Sequence, residues 1–164
     1  MIDSFFEKKF TFFDRFSPKK LFFYIYILDL SLSLIFLFSL VLLDDSSVNE
    51  NKKFRIDFSN LPLSFFLAVV LFPIIETYFL QHLIIKWFHP KLGKFSIVIS
   101  AFIFGILHFR LYIFFVFWGI MLAIYYYYLS VYKKVNGFWP IFLLHALYNF
   151  TIVSLMSVVY YFMI

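Results

Sequence analysis

Five long stretches of this chain carry almost no charge, and that pattern constrains the fold more than any other feature. They cover residues 21–43, 62–85, 95–109, 111–131 and 138–164, and together they hold two carboxylates, Asp29 and Glu76, with no Lys or Arg. A helix that crosses a bilayer needs about 20 predominantly apolar residues. The spacing therefore predicts an all-α integral membrane protein, with about five transmembrane helices forming one bundle. Composition agrees: 64% of the 164 residues are hydrophobic and 14% are charged, where a soluble domain has about 25% charged residues. Too little polar surface remains for a soluble enzyme, a disordered tail or a free-standing nucleic-acid module. No nucleic-acid partner is expected, despite a formal charge of +5. With no Cys, disulfides and thiolate chemistry are excluded.

Local signals set the boundaries. Asn60 can cap the second stretch with Pro62 in its first turn, while Lys86, Trp87, Pro90 and Gly93 close it. Pro73 lies inside that stretch and is expected to kink it, freeing backbone groups three residues before Glu76. A tight turn is expected near Arg110, and Gly137 precedes the last stretch. The segment 1–20 reads as basic and amphipathic, with Phe6, Phe10 and Phe13 on one face, lying in the interface as an anchor rather than as a cleaved signal. Residues 21–164 form the membrane-embedded domain, and 44–57 a polar connection. Ten of the Lys and Arg fall before the first stretch or in the second-to-third and fourth-to-fifth connections, against four on the other side. Positive charge favours the inner side, so the N-terminus is expected inside and the C-terminus outside.

Charged and polar groups inside a bilayer are expensive and call for a reason. At about 1.5 Å per residue from the nearest basic residue, Glu76 lies about 15 Å deep and His145 about 16 Å, with His108 and Asn149 about 21–23 Å deep. Groups from three stretches thus share one band of the membrane. His145 and Asn149 are one turn apart on one face. Ser96, Ser100, Phe104 and His108 recur every four residues, with Gly105 alongside, as suits a helix pressed against neighbours. A single intramembrane His or Asn commonly serves as interhelical glue, whereas four at matched depth point to a site. Asp29, about 13 Å from Lys20, either joins them, is held neutral and hydrogen-bonded, or lies near the interface. His82 falls near the inner end of the second stretch, and His89 in a loop. Trp87 and Trp139 read as interfacial belt residues.

These residues resemble the signature of the CAAX protease and bacteriocin-processing family, also called the Abi or type II CAAX prenyl endopeptidase-like family. Its pattern is E-E-x-x-x-R, then F-x-x-x-H, then H-x-x-x-N. The counterparts here are Glu76-Thr77-Tyr78-Phe79-Leu80-Gln81, Phe104-Gly105-Ile106-Leu107-His108 and His145-Ala146-Leu147-Tyr148-Asn149, within a motif-bearing core at 62–155. Thr77 and Gln81 stand where Glu and Arg are usual. The joint loss leaves the local charge unchanged, and two neutral side chains can still brace the helix.

The resemblance implies a membrane-embedded endopeptidase of the bacterial plasma membrane. In it Glu76 and His108 activate a water, His145 and Asn149 stabilise the oxyanion, and Thr77, Gln81 and Phe104 support them. The substrate would be a membrane-delivered or lipidated peptide, reached from the inner leaflet. The alternative is a non-catalytic immunity or scaffold protein of the same fold. The resemblance favours chemistry without a cofactor, the alternative being a zinc site with one open position formed by Glu76, His108 and His145.

Overall fold

The computed structural model describes residues 10–43, 61–108 and 112–163. The polar connection at 44–57, the cap at Asn60 and the turn at Arg110 lie outside the described residues. All the regular structure among the described residues is helical. Helix α1 is Pro18–Leu43, and α2 occupies residues 61–92. Helix α3 is Phe95–Leu107, α4 runs over residues 112–132, and α5 is Phe138–Met163. Three helices, Pro62–Leu92, Phe115–Tyr132 and Phe138–Leu155, are long and apolar enough to cross a membrane. The 26 residues of α1 extend about 39 Å at the helical rise. The chain is an all-α integral membrane protein.

The third stretch differs from its sequence reading. Its 13 helical residues reach only about 20 Å, short of a hydrocarbon core of about 30 Å. Helix α3 is therefore too short to cross the hydrocarbon core by itself, and His108 sits at its C-terminal cap. It lies against α4 at backbone distance. A Cβ on Gly119 would sit 3.0 Å from Ala101 Cα and 3.1 Å from Phe104 Cβ. The expected small and polar stripe forms the buried face of α3, with Ser96, Ser100, Phe104 and Gly105 all buried. The Ser100 hydroxyl donates to Leu80 O on α2.

Helix α2 is longer than expected and changes register twice. It reads as α-helix over Leu61–Phe66, π-helix over Leu67–Leu71, α-helix over Phe72–Glu76, π-helix over Thr77–Leu83 and α-helix again over Ile84–Leu92. Pro90 lies within the last turn and does not end the helix. Gly93 does, with φ 53° and its N–H donating to His89 O. His89 is accordingly helical and not in a loop, and its Nδ1 lies 3.1 Å from the Tyr127 hydroxyl. The first π turn precedes Pro73. Phe72 N–H bonds Leu67 O, and Pro73 has no N–H to give. The carbonyl of Ala68 is thereby released from the helix ladder.

Helix α1 presents Leu21, Ile25, Asp29 and Ser33 to the bundle at four-residue spacing, all buried. Tyr26 Oη lies 2.7 Å from Thr151 Oγ1 of α5, and Tyr125 of α4 donates to Pro18 O at 3.2 Å. Before α1, Phe10 is buried against the rings of Tyr127, Tyr128 and Tyr132. The described part of the N-terminal segment thus docks on protein. Asp14 receives Lys133 Nζ at 2.6 Å and the Tyr128 hydroxyl at 2.8 Å. Those hydrogen bonds, the one from Lys133 first, hold its carboxyl below the usual range. On the outer surface, Phe23, Ile35, Trp87, Phe102, Phe117, Trp139 and Leu143 are all more than half exposed. An apolar exterior, with buried polar side chains turned inward among apolar ones, suits lipid as solvent.

Candidate active site

The short α3, the register changes in α2 and the packing of α5 bring three polar side chains together. Glu76 closes the α-helical segment Phe72–Glu76, and the second π segment opens at Thr77. Such single π turns commonly mark functional positions in helices. His108 ends α3 with φ −92° and ψ 13°, in the sparsely allowed bridge region. Glu76 Oε2 lies 3.5 Å from His145 Nε2 and 4.0 Å from His108 Nε2. Glu76 and His108 are about a quarter exposed, and His145 is buried. The acid and one imidazole are partly accessible from outside the bundle, and the second imidazole is enclosed behind them.

The hydrogen bonds assign the protons. His108 Nδ1 lies 2.8 Å from Phe104 O. A carbonyl only accepts, so Nδ1 carries the hydrogen and Nε2 of the neutral ring presents a lone pair towards Glu76. Phe104 also stacks on the same imidazole at 4.6 Å, and Phe115 covers it at 4.1 Å. Phe104 thus meets His108 through both its ring and its carbonyl. His145 Nδ1 is buried without a hydrogen-bond partner, so its hydrogen belongs on Nε2, facing the carboxylate. Its ring is held between Phe104 at 5.8 Å and Trp118 at 5.6 Å.

The remaining sequence candidates lie elsewhere. Asn149, one turn beyond His145, donates its Nδ2 to Ala68 O at 2.8 Å, the carbonyl that the first π turn and Pro73 release. Thr77 and Gln81 are fully buried, yet Thr77 Oγ1 and both polar atoms of the Gln81 amide have no partner. The bracing expected of that pair is not made through hydrogen bonds of these two side chains. His82 is occupied by the Tyr126 hydroxyl at 2.7 Å. Trp118 and Phe115, which frame both imidazoles, carry no motif signal in the sequence. Only the periodicity of α4 could have placed them inward.

A zinc ion held by three such donors at 2.0–2.2 Å would need them about 3.3–3.5 Å apart. The His108 separation is wider, and among the described residues no three His, Cys, Asp or Glu side chains form a metal-binding group. His145 also lacks the acceptor behind Nδ1 that usually orients a metal-bound imidazole. As arranged, the three do not fit a zinc site. They do fit a water. An oxygen about 2.8 Å from both Glu76 Oε2 and His108 Nε2 can give one hydrogen to each.

Residues 58–151 match the family described as type II CAAX prenyl endopeptidase Rce1-like. No curated protein and no solved structure matches the chain. The matched stretch contains Glu76, His108, His145 and Asn149, with all of α2, α3 and α4 and the first half of α5, and it leaves α1 outside. It covers more than half of the sequence, and a chain with this stretch belongs to the Rce1-like type II CAAX prenyl endopeptidase family, a family of proteases.

Proposed function

We propose that this protein is a membrane-embedded endopeptidase in which Glu76 and His108 activate a water for attack on a peptide carbonyl. The observation that carries the reading is the convergence of two imidazole Nε2 atoms on one carboxylate oxygen, at 3.5 and 4.0 Å, inside a largely apolar bundle. The water gives one hydrogen to each acceptor. As it attacks, Glu76 takes the proton, and the newly formed acid or a protonated His108 returns it to the leaving amine. His145, with its hydrogen on Nε2, is the donor best placed to receive the developing oxyanion, a contribution often worth about 10²–10³-fold in rate. Asn149 holds α5 against α2 in this scheme through its bond to Ala68 O.

The substrate class that fits is a lipidated or otherwise membrane-delivered peptide, reaching the site from the inner leaflet of a bacterial plasma membrane. The test is cleavage of a farnesylated reporter peptide by the purified protein in nanodiscs. Glu76→Gln is expected to lower turnover by about 10²–10⁴-fold with an unchanged melting temperature, and chelators are expected to leave turnover intact. A Glu76→Gln protein as fast as its parent would end the proposal. A parent that binds the reporter without cutting it would instead favour the non-catalytic immunity or scaffold reading, for which the unpartnered Thr77 and Gln81 are the supporting observation.

A further inference from the structure

Asp29 takes no part in the reaction above and lies on α1, outside the stretch matched to the family. It is 4% exposed, and its Oδ2 has no hydrogen-bond partner. On α4, Trp118 is 6% exposed, and its indole Nε1 has none either. Both side chains line one small cavity of about 20 Å³, together with Ser33. The Ser33 hydroxyl is already committed, donating to Asp29 O at 2.8 Å and receiving the Tyr148 hydroxyl at 2.7 Å. A buried carboxylate oxygen on α1 and a buried indole N–H on α4, from two residues that line one cavity, are chemically complementary, one an acceptor and the other only a donor. A volume of this size holds a single water.

We propose that the cavity is a one-water site, in which the water accepts the Trp118 N–H and donates to Asp29 Oδ2, and that Asp29 is thereby a positioning residue for His145. Trp118 is the link. Its ring packs 5.6 Å from the imidazole of His145, whose Nδ1 has no hydrogen bond to orient it. Ring packing therefore sets where His145 Nε2 points, and the Asp29 water sets the ring. Ser33 does the same for Tyr148, which packs edge-on against Trp118. In this way α1 reaches the site without touching it. The positioning role rests on the catalytic reading above, whereas the water site does not.

Trp87 and Trp139 are 65% and 53% exposed, so Trp87→Phe with Trp139→Phe leaves Trp118 as the single indole of a folded protein. Ultraviolet resonance Raman then reads its N–H mode, which falls in frequency on hydrogen bonding. The bonded position is expected in that background, with a move to the free position on adding Asp29→Leu and little movement with Asp29→Asn, which keeps an acceptor oxygen. A free N–H in the background protein, or a bonded band that Asp29→Leu leaves in place, overturns the water site. The background band decides even where Asp29→Leu does not fold. With all tryptophans present, Asp29→Leu is expected to lower kcat on the farnesylated reporter about tenfold or more at unchanged KM, and Asp29→Asn to recover most of it. An unchanged kcat alongside a shifted Raman band overturns the positioning role alone. A parent without peptidase activity removes that role together with the catalytic reading, while the band still decides the water.

Discussion

At the scale of single residues, the interior separates polar groups that meet a partner from polar groups that do not. Glu76, His108 and His145 face one another, and Asn149 reaches a backbone carbonyl. Thr77 and Gln81 are buried with nothing to bond. A buried polar group left unpaired costs about 1–3 kcal/mol, whereas an apolar group of similar shape is close to neutral. Gln81→Met is therefore expected to stabilise the protein by about 1–2 kcal/mol, read as a higher melting temperature in detergent. A lower melting temperature would mean that the Gln81 amide is satisfied. The two positions that depart from the family pattern are thus among those where the interior leaves polar atoms unpaired, one directly after the acid and the other five residues on.

At the scale of elements, α2 decides the geometry through its register. The π turn at Leu67–Leu71 and Pro73 strip Ala68 O of a helical donor, and Asn149 of α5 supplies one at 2.8 Å. The same irregularity that would weaken an isolated helix becomes the attachment point for its neighbour. Asn149→Ala is expected to destabilise by about 1–2 kcal/mol. In a Pro73→Ala background that loss should shrink, because the new N–H can serve the released carbonyl within the helix. A double-mutant cycle on unfolding in mixed micelles measures the difference, and an equal loss in both backgrounds would refute the link. Helix α3 shows the complementary case. Its closeness to α4 at Gly119 and its early end after Leu107 place His108 at a helix terminus, where its ring can turn to Glu76 and its Nδ1 can still reach Phe104 O.

At the scale of the whole molecule, orientation controls which solutes reach the site. The ten-to-four distribution of Lys and Arg leads us to propose that the α2–α3 and α4–α5 connections face the cytoplasm. Because the chain has no cysteine, Lys91→Cys creates a single thiol on an exposed turn. An impermeant maleimide is expected to label it in inverted vesicles and not in intact cells. Labelling in intact cells would reverse the topology and move substrate access to the other leaflet. The docking of Phe10 and Asp14 onto α4 and its following loop would then change sides with it.

Hydropathy and helical spacing are local properties, and from them the sequence by itself determined an all-α membrane bundle, the buried stripe of α3 and the shared depth of Glu76, His108 and His145. Apolar stretches must become helices in lipid, and a polar side chain buried there must turn towards protein. Other features were settled only when the helices packed. The rotation of α2 after each π turn, the truncation of α3 and the capture of Ala68 O by Asn149 depend on which neighbour lies opposite, as does the burial of Asp29 beside Trp118. No periodicity encodes an opposing surface: a released carbonyl or an indole N–H acquires its partner through the relative translation and rotation of two helices, and contacts such as Gly119 on Ala101 fix those.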